Sequence, residues 1–148
     1  KDFDSIAFEL GHLDAGSFQL DEIDPVDLTP VRLSPDTEIH VLGVHYQIAQ
    51  KLHACTEVPA EGVNARVHDL YDILLLESLA REDGLAKTRA ACEATFAERA
   101  KHSWPPVMAD WEDWPAAWAA IDVHDDLRYD YQDARLRVIE LINDITGA

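Results

Sequence analysis

The stretch NARVHDLYDILLL, residues 64–76, decides how this chain is read. Its apolar run, Leu70, Tyr71, Ile73, Leu74, Leu75 and Leu76, wraps most of a helical circumference. A helix that is apolar nearly all round must be covered on nearly all sides. The spacing therefore predicts a helix running to about Ala80 whose middle is buried and forms the centre of the core. Asn64, whose side-chain oxygen suits an N-cap, is expected to open it. Arg66, Asp69 and Asp72 recur every third residue, so they share one face at the entrance of this helix.

Outward from this centre the helical period continues. Upstream, in HYQIAQKLHACT (residues 45–56), Ile48, Ala49, Leu52 and Cys55 fall on one stripe, with Gln47 and Lys51 four apart beside it. The break at Val58-Pro59-Ala60-Glu61-Gly62 separates the two helices. Downstream, a helix over about 85–101 places Ala91, Cys92, Thr95, Phe96 and Arg99 at helical spacing and stops before Trp104-Pro105-Pro106. Trp104, Trp111, Trp114 and Trp118 are read as a cap packed over the bundle, with ligand stacking as the alternative. A last helix, about 131–146, carries Leu136, Ile139, Ile142 and Ile145 on one side and ends at Gly147. Towards the N-terminus the signals change: residues 3–10 alternate loosely enough for a strand, Gly11 to Pro35 is turn-rich and acidic and reads as a loop or an irregular edge, and Glu38 to Leu42 reads as a short strand. The expectation is a mainly α, α+β chain of about five helices, one domain over 1–148, with a strand and loop region at 1–43 and a helical bundle at 44–148.

Composition narrows the function classes. At 148 residues and 47% hydrophobic the chain can bury a core. A formal charge of −17, from 29 acidic and 12 basic residues, argues against affinity built on many phosphate contacts, so a nucleic acid would need a local basic pocket. Protonating all seven histidines would leave the chain acidic. Cys55 and Cys92 sit within helical segments rather than in a disulfide pattern, no stretch approaches the roughly 20 apolar residues of a membrane span, and no signal segment opens the chain. A reduced, cytoplasmic setting without membrane contact is expected. The chain begins at Lys1, directly in strand-like sequence, which suggests that something upstream has been removed.

A lysine and two carboxylates set against apolar helices are costly unless they pair. One reading of Lys51, Arg66, Asp69 and Asp72 is thus an ion-pair network that fixes how the first helix meets the second; the other is an active site, which such networks resemble in their residue types. The two segments, with A-x-K-L-x-A around Lys51 and R-x-x-D-L-x-D from Arg66 to Asp72, resemble the third and fourth motifs of the AbiEii/AbiGii family of nucleotidyltransferase toxins. The segment FAERAKHSWPP, residues 96–106, with the tryptophan-rich tail, is similar to the C-terminal part of actinobacterial members.

The resemblance implies a fold related to DNA polymerase β, in which an N-terminal half supplies a glycine-serine loop and two metal-binding carboxylates. No Gly-Ser followed by an Asp-x-Asp pair on a strand occurs here; Gly16-Ser17 is followed by Asp21, Glu22 and Asp24 beside Pro25, in turn-rich sequence. The upstream nucleotidyltransferase half is therefore expected to be missing, and this chain alone to be inactive and to bind neither Mg2+ nor NTP. Carried over, Lys51 would contact the nucleotide phosphates, Asp69 would be the late catalytic aspartate, and Arg66 and Asp72 would support them. Mg2+ and an NTP in the complete protein, a cognate antitoxin and an RNA acceptor such as a tRNA end are the implied cofactors and partners; no metal ligand is assigned within this chain. Two other readings stand beside it. His68-Asp69 with His45 or His53 upstream and Asp122, Asp125 or Asp126 downstream matches the pattern of HD metal-dependent phosphohydrolases. A helical module that docks a partner through acidic, tryptophan-bearing surface is the non-enzymatic one.

Overall fold

A computed structural model describes residues 20–23, 39–121, 127 and 129–148. Two short strands, Leu20–Ile23 (β1) and Ile39–Leu42 (β2), pair antiparallel with Leu20 opposite Leu42 and Ile23 opposite Ile39. β2 lies where the sequence placed a strand. β1 falls inside the stretch read as a loop or an irregular edge, and part of that stretch is a paired strand: Asp and Glu are depleted in strands, so LDEI carries little local preference, and the ladder to β2 supplies what it lacks. Residues 3–10, Gly16-Ser17 and Pro25, Pro30 and Pro35 lie outside the described residues.

Five helices follow among the described residues: Val44–Thr56 (α1), Val67–Asp83 (α2), Leu85–Arg99 (α3), Trp114–Ala119 (α4) and Tyr131–Gly147 (α5). The architecture is α+β and mainly helical. No helix among the described residues is long and apolar enough to cross a membrane.

The hairpin is fastened to the start of α1. Gly43, at the N-cap position, has no side chain to offer, and the carboxylate of Asp21 on β1 instead accepts from the Val44 N–H at 3.2 Å. Gln47 donates its side-chain amide to the Leu42 carbonyl, which sets β2 against the first turn of α1. From there Ile48, Ala49, Leu52 and Cys55 point inward with no exposed surface, as their spacing predicts, and α1 packs chiefly on α3 and α2. Each large aliphatic side chain so buried contributes about 1.5–3 kcal/mol.

α2 departs from expectation at both its start and its middle. It begins at Val67, and Asn64 is not its N-cap. The Asn64 side-chain oxygen accepts from the Arg66 N–H at 2.8 Å, an Asx turn before the helix, while its amide donates to the carbonyls of Ala54 and Glu57 at the end of α1. The same residue's backbone carbonyl accepts from the Trp114 indole. One buried asparagine thus joins the end of α1, the start of α2 and α4. In its middle α2 is one-sided: Val67, Leu70, Ile73, Leu74, Glu77 and Ala80 are buried, whereas Leu75 is 45% and Leu79 53% exposed. The all-round burial read from the leucine run is wrong because only one face meets neighbours. Glu77 on that face is paired, accepting from Arg81 on its own helix at 2.6 Å and from Arg137 on α5.

α2 ends at Gly84, whose φ of +105° few other residues adopt, and α3 starts at once. Ala91, Cys92, Thr95 and Phe96 are its buried face. Trp114 and Trp118 on α4 are buried and Trp104 and Trp111 are partly so, which places the tryptophans in the core as expected. α5 opens with Asp130 accepting from the Asp133 N–H, then buries Ala134, Val138, Leu141, Ile142 and Ile145. Leu136, assigned to the buried side from sequence, is 53% exposed; the core-facing stripe runs one position further round. Both cysteines are free and buried, and burial pushes both thiols far above their ordinary range.

Candidate active-site cleft

α1 presents Lys51 one position before the buried Leu52, at the edge of the core rather than within it. The first turns of α2 bring Asp69 and Asp72 to meet it: the ammonium donates to Asp72 at 2.6 Å and to Asp69 at 3.2 Å. Arg66 reaches Asp69 more loosely, at 3.9 Å, with its own side chain largely in solvent. The four residues singled out from sequence are therefore one cluster across the α1–α2 contact. Burial works against the charged ammonium, but the bonds and charges of Asp72 and Asp69 outweigh it, and Lys51 is held above the ordinary lysine value.

The two aspartates differ in position. Asp69 forms part of the wall of a cleft of about 540 Å³ together with Lys51, Arg66, Gln47, Gln50 and Arg99; Asp72, half-exposed, holds Lys51 without being part of that wall. An ammonium has three N–H donors, and two are spent on carboxylates, so one stays available to a ligand in the cleft. A second cleft, of about 270 Å³, adjoins the first and shares Ala54, Arg66 and Arg99 with it. Arg99 was read from sequence only as part of a helical stripe. Its place beside Lys51 follows from how α3 crosses α1, which no local spacing reveals.

Asp69 and Asp72 both face an ammonium, and among the described residues no group of three or more His, Cys, Asp or Glu side chains is placed to hold a metal ion. The residues of this cleft do not by themselves fit the two-carboxylate Mg2+ site of the resembled family. The HD pattern does not assemble among them either. His45 is held by Thr88 at 2.7 Å and Asp83 at 2.8 Å, His53 packs on His102 and Phe96, and His68 lies exposed on α2. Asp122, Asp125 and Asp126 lie outside the described residues.

A comparison with curated proteins returns no match. Against protein families, the model for the nucleotidyl transferase AbiEii toxin of type IV toxin–antitoxin systems matches residues 2–140, the span that includes both strands, the cleft and most of the bundle. With the motifs around Lys51 and Asp69 meeting at one cleft and this match covering nearly the whole length, the chain belongs to the AbiEii family of nucleotidyl transferase toxins.

Proposed function

We propose that this chain contributes Lys51 and Asp69 to the catalytic cleft of a metal-dependent nucleotidyltransferase toxin that transfers a nucleotide from an NTP to an RNA acceptor such as a tRNA end. The observation that carries this reading is a lysine held charged by two carboxylates on the wall of an open cleft. Nucleotidyl transfer builds negative charge on the attacked phosphate and on the departing pyrophosphate. A fixed ammonium on the cleft wall, with one N–H donor not spent on a carboxylate, stabilises that charge with little reorganisation. Asp69, on the cleft wall, aims Lys51 and is placed to orient an acceptor hydroxyl; Asp72 keeps the ammonium fixed, and Arg66 adds positive charge at the rim.

Mg2+ is assigned to carboxylates other than Asp69 and Asp72, because those two serve Lys51. The Asp-x-Asp pair of this sequence, Asp2-Phe3-Asp4, stands ahead of Gly16-Ser17 rather than after it, so the phosphate loop is assigned to an upstream nucleotidyltransferase half, and the chain alone is expected not to transfer. A cognate antitoxin is the inferred protein partner, in keeping with the family.

The test is transfer of a labelled NTP to tRNA by the full-length protein, with Lys51→Ala and Asp69→Ala compared with the parent. Each should lose about 10²-fold or more while the melting curve stays cooperative. A folded Lys51→Ala protein with undiminished transfer would sink the assignment.

A further inference from the structure

The chain carries a charge of −17, so positive charge that is not already spent is scarce and its location is informative. Elsewhere among the described residues the arginines and lysines are engaged, apart from the exposed Lys101. Arg81 serves Glu77 and Asp144, Lys87 serves Asp83, and Arg89 serves Glu93. Arg137 serves Glu77 and Glu140, and Arg135 donates to the carbonyls of Met108 and Ala109. Arg99 has no ion pair or hydrogen bond among the described residues. Arg66 has one loose contact, at 3.9 Å, and a side chain 68% exposed. These two guanidiniums both line the Lys51 cleft and both line the smaller cleft beside it. Lys51 and Arg66 offset Asp69 and the Asp72 behind it, and Glu57 lines only the smaller cleft, so Arg99 leaves the Lys51 cleft positive on a strongly negative molecule. Its charge is felt inside the fold, where it opposes protonation of His53.

We propose that Arg66 and Arg99 form a phosphate clamp on the wall between the two clefts. A guanidinium offers a planar fork of donors matched to phosphate oxygens, and two forks on a shared wall can hold one phosphate group from both sides. The smaller cleft gives the rest of the ligand a seat: the buried Asn64 lies at its base, Pro59 and Val63 supply apolar surface, and Glu57 is a carboxylate on its lining. The inference deepens the reading of the Lys51 cleft as a transfer site and rests on it for the source of the phosphate, either the polyphosphate tail of the nucleotide or a phosphodiester of the acceptor.

Pyrophosphate and a short single-stranded RNA oligonucleotide are titrated separately into the 148-residue chain, by calorimetry and by fluorescence anisotropy. Arg66→Gln, Arg99→Gln, the double variant and Arg99→Lys are compared with the parent, and tryptophan fluorescence and melting serve as the fold control. Each single glutamine variant should weaken at least one probe about tenfold, the double variant more, and Arg99→Lys should fall between. A loss confined to pyrophosphate assigns the clamp to the nucleotide tail; a loss confined to RNA assigns it to the acceptor. A parent that binds neither probe, or a folded double variant that binds both like the parent, overturns the clamp. Lys51→Met, assayed for transfer in the full-length protein, separates the two readings. If it transfers normally while the arginine variants lose binding, the transfer reading fails and the clamp stands. If it is inactive while the double variant binds normally, the clamp fails and the transfer reading stands.

Discussion

His53 lies 2% exposed between Phe96 and His102, and its Nε2 makes no hydrogen bond among the described residues. Its neighbour's tautomer follows from proton counting. Thr56 has one hydroxyl proton and donates it to the Leu52 carbonyl at 2.6 Å, so the 2.8 Å contact with His102 Nε2 is a bond that the histidine donates. Desolvation, then the charges of His102 and Arg99, push His53 down to about 4 from an ordinary value of 6.5. Below 6.5 the unfolded chain therefore takes up a proton that the folded one refuses, and stability falls with pH until the folded pKa is reached, a loss on the order of 2–3 kcal/mol. His53→Leu removes that titration and a desolvated nitrogen together. Urea midpoints measured between neutral pH and about pH 4.5 should fall less steeply for His53→Leu than for the parent, with no loss at neutral pH; parallel slopes would show that other groups set the acid limb. At this same scale the candidate site was largely legible. A lysine and two aspartates at helical spacing on otherwise apolar helices demand partners, and they found each other. Arg99 was not legible, because a cation needs no partner to be tolerated at a helix end, and its relevance comes from a neighbouring helix.

The helices follow the same division between local and tertiary information. The boundaries of α1, α3 and α5 fell within about two residues of their sequence reading, the margin to which helix ends are defined at all, because each carries an apolar stripe with a clear stop. The misreadings sit where a partner element decides: β1 needs β2 to be a strand, α2 has fewer neighbours than its leucines suggest, and Asn64 is drawn away from capping by the carbonyls of α1. α4, six residues with Pro115 in its first turn, was read only as a packed tryptophan cap. The end of α3 offers a test of how far local preference still counts. Ala100 caps it in the left-handed region at φ 49°, exposed to solvent, a position where helices prefer glycine. An alanine there costs roughly 1 kcal/mol of steric strain, set against the greater freedom that glycine brings to the unfolded chain. Ala100→Gly should leave stability equal or raise it by up to about 1 kcal/mol, read as a higher thermal midpoint with unchanged helix content. A fall of more than that would mean the Ala100 methyl packs usefully.

At the scale of the whole molecule, electrostatics oppose folding on balance. The excess of acids over bases, 29 against 12, leaves 17 negative charges to be drawn together when the chain compacts. The favourable pairs are of two kinds. Lys87–Asp83 and Arg89–Glu93 are exposed, i to i+4 pairs that solvent and salt readily screen. The clusters around Lys51 and around Glu77 are sheltered by the helices that make them, so salt reaches them less. Raising the ionic strength from about 0.01 M to about 0.15 M shortens the screening length from about 30 Å to about 8 Å, which removes most repulsion between distant surface carboxylates and leaves the close pairs nearly intact. The thermal midpoint should therefore rise by a few degrees over that range, and sodium chloride and potassium chloride should act alike, because screening depends on charge and not on ion identity. A midpoint that falls with salt would show that the surface pairs outweigh the repulsion. A rise with sulfate or phosphate that exceeds the rise with chloride at equal ionic strength has a different meaning: it requires an anion bound to the folded state, and its loss in the Arg66→Gln, Arg99→Gln double variant would place that anion between the two clefts.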